Sequence, residues 1–244
     1  MNLVLSLFPG VGLLDRAFEE HGFCIVRGPD YLWGGDICKF HPPAGRFDGV
    51  IGGPPCQCFS SLSHMVRHNG HQPKFGNLIP EFERCVREAR PPWFLMEEVP
   101  QAPVPTVIGY SVHSFVINNR QFGEAQNRLR RWSFGWRGQR RILMIDTVAL
   151  ESPEFDYAAC GGEGRSPASS ADPKKRKRKS LPLCRVVRSK EVFESLKRKQ
   201  GLPEDFDLAP FTVRAKCQAV GNGVPMAMGR AMAKAVKEMI DASS

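Results

Sequence analysis

Cys56 stands in the run Gly52-Gly53-Pro54-Pro55-Cys56-Gln57-Cys58-Phe59-Ser60, directly after the apolar segment Phe47-Asp48-Gly49-Val50-Ile51. The glycines let the backbone turn tightly or approach a ligand, and the prolines remove amide donors and fix the direction of the chain. A thiol packed for structure alone has no need of that setting. A nucleophile that must meet its target in one orientation does, so the chemistry suggested is covalent attack by a thiolate. Two further clusters could serve such a reaction. Glu97 and Glu98 follow the apolar run Trp93-Phe94-Leu95-Met96, which places carboxyl groups at the end of a buried strand. Gln126-Asn127-Arg128-Leu129-Arg130 puts two guanidinium groups on alternate positions, hence on one face of an extended segment.

These residues need a scaffold, and the first ~135 positions read as one. Leu3–Leu7, Phe23–Val26, Val50–Ile51 and Trp93–Met96 read as strands, with further strands at Ser111–Ile117 and Arg131–Trp136. Leu13, Leu14, Ala17 and Phe18 keep helical spacing, as do Ile79, Phe82, Val86 and Ala89. Alternating strands and helices predict an α/β fold with a mostly parallel sheet. The turn Phe8-Pro9-Gly10-Val11-Gly12 joins the first strand to the first helix, where glycines let a ligand lie against the backbone. The third glycine of a dinucleotide fingerprint is missing, which disfavours NAD.

Composition changes after about 150. Residues 158–180 are dominated by Ala, Gly, Ser and Pro, and contain Lys174-Lys175-Arg176-Lys177-Arg178-Lys179. Such a stretch cannot build a core and reads as a flexible loop. Helical spacing returns at the end, where Pro225 suits a first turn and Met228, Met232, Val236 and Met239 share a face. Seven of the nine net positive charges fall between 138 and 200. A basic lobe on a more neutral body fits a nucleic-acid partner, although a solvated loop would look the same. The eight cysteines include no Cys-x-x-Cys pair, so reduced thiols are expected and no metal site is. No segment reaches the ~18 apolar residues of a membrane span, and Met1–Phe8 has no basic signal-peptide start. An intracellular, cytoplasmic protein is expected; Lys174–Lys179 would also serve as a nuclear localisation signal.

The motifs, in this order, resemble those of the DNA cytosine-5 methyltransferases. The resemblance covers residues 3–136 and roughly 200–240. It implies a Rossmann-like S-adenosylmethionine-dependent methyltransferase sheet domain (1–137 plus 211–244), with a short basic target-recognition region at 138–210. Gly201-Leu202-Pro203-Glu204-Asp205-Phe206 is similar to the family segment that closes this region. S-adenosylmethionine is the implied cofactor. Phe8, Gly10 and Gly12 match the family's Phe-x-Gly-x-Gly. Asp30 would accept the ribose hydroxyls, and Asp36 and Ile37 would hold the adenine. Pro55 and Leu78 would pack near the ligand, together with Asn222 and Val224 of Gly221-Asn222-Gly223-Val224-Pro225, which is similar to the family's Gly-Asn-x-Val.

Within this resemblance Pro-Cys-Gln selects Cys56 as the nucleophile and leaves Cys58 a packing role. Glu97 maps onto the catalytic glutamate of Glu-Asn-Val, with Glu98 where the family usually has Asn. Adjacent acids could point to opposite faces, leaving Glu98 in solvent. If instead both line the pocket, repulsion should raise a carboxyl pKa. Arg128 and Arg130 would stabilise the ring carbonyl and anchor the glutamate or a phosphate. Gln126 and the basic run Lys174, Lys175, Arg176, Lys177, Arg178 and Lys179 would face nucleic acid. The implied activity is methyl transfer to cytosine carbon 5 of double-stranded DNA, on a flipped-out base, by a monomer with no membrane or obligate protein partner. Two alternatives stay open: an RNA cytosine methyltransferase, since a tRNA-specific branch shares these motifs, and a DNA-binding protein with a degenerate methyltransferase body.

Overall fold

A computed structural model describes residues 2–55, 58–59, 76–148, 154–157 and 189–243. Cys56, Gln57 and the basic run Lys174–Lys179 lie outside the described residues. The first strand, β1 (Asn2–Leu7), is an apolar run whose last four residues are buried, as suits a strand covered on both faces. Helix α1 (Leu13–Glu19) buries Leu13, Leu14, Ala17 and Phe18 and returns the chain to β2 (Phe23–Arg27). The short β3 (Gly49–Gly52), helix α2 (Ile79–Ala89) and β4 (Trp93–Glu98) follow. All four strands pair in parallel.

The sheet then changes character. Strand β5 (Tyr110–Asn118) leads through a turn and the two-residue β6 (Gln126–Asn127) into β7 (Leu129–Arg137). Strand β7 runs antiparallel between β4 and β5, which gives the six-stranded order β2-β1-β3-β4-β7-β5. A direct return from β5 to β7 needs no crossover helix, and this reversal at one edge is what the expected mostly parallel sheet did not specify. A second, two-stranded sheet pairs β6 with β8 (Asp156–Tyr157).

Two helices within the last 55 residues were not read from the sequence. Helix α3 (Lys190–Lys199) starts at the Ser189 cap and α4 (Val213–Asn222) at the Thr212 cap. Six of the ten α3 residues are charged, yet Val192, Phe193 and Leu196 form a narrow apolar stripe. That stripe joins Leu13 and Ala17 of α1, with Cys217 and Val220 of α4, in one cluster. The C-terminal helix α5 (Met226–Asp241) buries Met228, Met232 and Val236 as its spacing predicts. It covers the sheet face that carries Val4, Trp93, Leu95 and Trp132. On the opposite face α2 covers Leu5, Leu7, Phe94 and Met96. No helix among the described residues is long and apolar enough to cross a membrane.

Candidate active site

Strand β1 is followed on one side by β2 and on the other by β3, so the chain reverses its winding direction at β1. The loops leaving β1 and β3 therefore diverge and open a crevice at the carboxyl edge, the usual ligand position in such sheets. The glycine turn 8–12 and the Gly53-Pro54-Pro55 loop that leads to Cys56 both lie at this edge. Strand β4, beside β3, delivers Glu97 and Glu98 there.

The glycine turn takes a left-handed backbone at three positions. Gly10 and Gly12 take φ of 56° and 77°, and Phe8 holds a φ of 56°, which costs a non-glycine residue about 1–3 kcal/mol. A methyl group added at Gly10 would meet no heavy atom within 4 Å among the described residues, so this backbone is open to a ligand. Asp30 braces the turn: its Oδ2 accepts from the Gly10 amide at 2.9 Å, and its Oδ1 from the Leu32 amide at 2.7 Å. A carboxylate has about four acceptor positions, so Asp30 keeps capacity for hydroxyl groups. Asp36 caps a short turn through the Cys38 amide at 3.0 Å, while Ile37 is buried in the α2-side core. Phe8, Leu78 and Phe59 pack against that same core.

Late residues complete this wall. A methyl group on Gly223 would fall 2.5 Å from Leu13 Cδ1, so the loop after α4 lies directly against the first turn of α1. Val224 is buried there and Asn222 is exposed.

Two contributors escaped the sequence reading. Asp15, fully buried, accepts from Ser6 Oγ at 2.5 Å and from Arg27 Nε at 2.8 Å, tying α1 to β1 and β2 behind the glycine turn. Burial raises its carboxyl pKa, opposed by the Ser6 hydrogen bond and the Arg27 charge. Trp33 donates its indole N–H to the Gly10 carbonyl at 2.8 Å and packs on Phe211, ring centroids 5.3 Å apart. The position of Asp15 where a third glycine would stand was the only signal for the first. Nothing local marked the second.

On the chemistry side, Glu97 Oε1 meets Arg130 Nε at 2.6 Å, and both side chains are largely covered. Glu97 Oε2 lies 3.1 Å from where a methyl group on Gly53 would be. The carboxylate therefore faces the loop that carries Cys56, with Arg130 as its ion-pair partner. Arg128 has a different setting. It is 2% exposed and donates to the carbonyls of Gly221 at 3.2 Å, Asn222 at 3.4 Å and Gly223 at 3.0 Å. Those carbonyls end α4, where unpaired acceptors and the helix dipole both favour a cation. Gln200 adds a second cap, donating to Val220 at 2.7 Å and Gly223 at 2.9 Å. Arg128 thus holds the late loop in place.

Of the two placements open for Glu98, solvent is excluded: it is 1% exposed, and burial, reinforced by the Glu97 charge, pushes its pKa up to about 8. Two expectations change. Gln126 is buried rather than presented to a nucleic acid, its amide donating to the Lys199 carbonyl, because β6 runs beneath the end of α3. Lys197 is also buried. It pairs with Glu194 at 2.8 Å and donates to the carbonyls of Glu204 and Phe206, so part of the basic charge of 138–200 is structural.

A family model for C-5 cytosine-specific DNA methylases matches residues 34–158, just over half of the chain. The Type II methyltransferase M.NgoPII of Neisseria gonorrhoeae is 30% identical over 165 residues, covering 55% of this chain and 48% of that protein. M.AquIA of a Picosynechococcus species is 50% identical over 123 residues, which cover 39% of this chain and 48% of that one. The chain spans about half the length of the curated relatives it matches. Among solved structures, Spodoptera frugiperda DNMT2 superposes with a TM-score of 0.63 at 13% identity, over 97% of this chain and all of that one. A putative DNA modification methyltransferase encoded within an E. coli prophage gives 0.60 at 17% identity, over 99% and 100%. These likenesses support the fold, and the family match takes in the strand-end Glu97 and its partner Arg130. The chain belongs to the C-5 cytosine-specific DNA methylase family.

Proposed function

We propose that the protein transfers a methyl group from S-adenosylmethionine to carbon 5 of cytosine in DNA. The observation that carries this reading is the Glu97–Arg130 pair, held against Gly53 of the Cys56 loop at the same edge as the open glycine turn. The open backbone at Gly10 and the spare acceptor capacity of Asp30 fit S-adenosylmethionine. Phe8, Gly10, Gly12, Asp30, Asp36, Leu78, Asn222 and Val224 would hold it, with Pro55 at the loop between the two halves of the site. Ile37 supports from the core. When bound, the cofactor supplies an electrophilic methyl group.

The residues of the chain supply the rest. The Cys56 thiolate adds to carbon 6 and makes carbon 5 nucleophilic; loss of the carbon-5 proton after methylation expels the thiol. Negative charge develops on the ring during addition, and Glu97 holds the pyrimidine edge while Arg130 fixes the carboxyl. The base must leave the duplex to reach this pocket. Lys174–Lys179 would attract the phosphate backbone without reading sequence. The enzyme would act as a monomer in the compartment that holds the DNA.

DNA carrying 5-fluorocytosine tests the reading, because the final proton loss is blocked and the covalent adduct persists. Wild type and Cys58→Ser should form the adduct and Cys56→Ser should not. Adduct formation by Cys56→Ser but not by Cys58→Ser would move the nucleophile to Cys58. Bisulfite sequencing of DNA from expressing cells reads out the target. Methylation of RNA but not DNA in parallel assays would replace the DNA reading with an RNA one.

A further inference from the structure

Among the described residues, Glu98 has no charged group left to pair it. Its Oε2 accepts from the Val99 amide at 3.0 Å, while Oε1 is buried without a hydrogen-bond partner among the described residues. The charged groups around it are committed elsewhere. Glu97, next on β4, already pairs with Arg130 of β7 at 2.6 Å. Arg131 of β7 stands opposite Glu98 in the register, but its guanidinium donates to the Pro100 carbonyl at 3.2 and 2.6 Å and to Ser114 Oγ at 3.3 Å. Met96, Val99 and Ala102, on either side along the chain, belong to the apolar core on the α2 side. A second carboxylate anion here would be both desolvated and adjacent to the first, a cost that a bound proton removes.

We propose that Glu98 works as a neutral carboxylic acid, a positioning residue whose proton keeps Glu97 the single anion facing Arg130 and so sets the alkaline limit of activity. The proposal rests on the methyltransferase reading above. A neutral carboxyl offers one acceptor and one O–H donor, the pattern of the side-chain amide that the family motif carries at this position. Ionisation turns that donor into an anion that repels Glu97 and competes for Arg130. Burial and the Glu97 charge, which push the group up to about 8, agree with this geometry.

The test has two arms. Infrared titration of the free protein, wild type against Glu98→Gln, should show a protonated carboxyl band that is lost with a midpoint near pH 8 and is missing from the variant. A wild-type spectrum without that band at neutral pH overturns the proposal. Methyl transfer is then followed across the same pH range. Wild-type turnover should fall about tenfold per pH unit above the midpoint. The ratio of neutral to alkaline rates should flatten in Glu98→Gln and in Glu98→Asn. An alkaline fall of equal size in wild type and both variants would assign it to another group and overturn the positioning role. If wild type methylates neither DNA nor RNA at any pH, the functional reading fails, whereas the infrared arm still decides whether Glu98 holds its proton.

Discussion

Replacing Arg128 with Met should loosen the cofactor wall from a distance. The guanidinium is buried and caps α4 through Gly221, Asn222 and Gly223. Hydrogen bonds from a charged donor contribute about 1.5–3 kcal/mol each. The contacts at 3.2 and 3.0 Å count in full, and the one at 3.4 Å is marginal. Gln200 continues to satisfy Gly223, so the uncompensated loss is centred on Gly221 and Asn222. A loss of about 2 kcal/mol follows, a sizeable part of the roughly 5–15 kcal/mol that holds a typical domain together. Lysine should not rescue it, since one ammonium cannot reproduce a planar fork that reaches three carbonyls. Urea unfolding gives the stability change and calorimetric titration with S-adenosylmethionine the affinity, which should weaken because Asn222 and Val224 ride on the capped segment. A change below about 1 kcal/mol with unaltered affinity would refute the capping argument.

Other outcomes follow from the same geometry. Glu97→Gln keeps the shape but loses the charge that Arg130 pairs with; turnover should fall about 10- to 100-fold, with cofactor affinity little changed. Equal turnover in that variant, beside a loss in Glu98→Gln at neutral pH, would exchange the roles of the two acids. Between 4.5 and about 8 the native state keeps a proton on Glu98 that the unfolded chain has released. Stability is therefore greatest at the acid end of that window and declines as pH rises, by at most roughly 1.4 kcal/mol per unit. Urea midpoints of Glu98→Gln across the window should lose that part of the slope, and an unchanged slope would show an ordinary carboxyl. Neutralising Lys174–Lys179 should weaken DNA binding for all sequences and flatten its salt dependence, with the methylated sequence unchanged. A shifted target sequence at matched occupancy would show that the segment reads bases.

Much of the scaffold could be read in the chain. Leu3–Leu7, Phe23–Val26 and Trp93–Met96 are apolar runs bounded by turn residues, and each is a strand within one or two residues of its expected ends. The stripes at 13–18, 79–89 and 228–236 are helices for the same local reason. Helix α3 was hidden because its charged residues outnumber a stripe of three apolar ones. Helix α4 was hidden because Gly221 and Asn222 read as a loop; they end a helix whose carbonyls from Val220 to Gly223 are met by Arg128 and Gln200 from distant parts of the chain.

The sequence by itself determined which elements form and which residue types reach the carboxyl edge, since periodicity, glycine turns and short motifs act over a few residues. It also determined the family, because Gly-x-Gly, Pro-Cys-Gln, the strand-end glutamate and Gln-x-Arg-x-Arg stand in order. Only the tertiary structure decided what each polar group there meets. Glu97 and Glu98 are neighbours in sequence, yet strand alternation and the reversed β7 give one Arg130 and leave the other buried without an ion-pair partner among the described residues. Arg128 and Arg130 share a motif, yet one caps a helix more than 90 residues away and the other pairs with Glu97 at the end of β4. Desolvation and ion pairing depend on what the folded chain brings within a few ångströms, and spacing along the sequence does not carry that information.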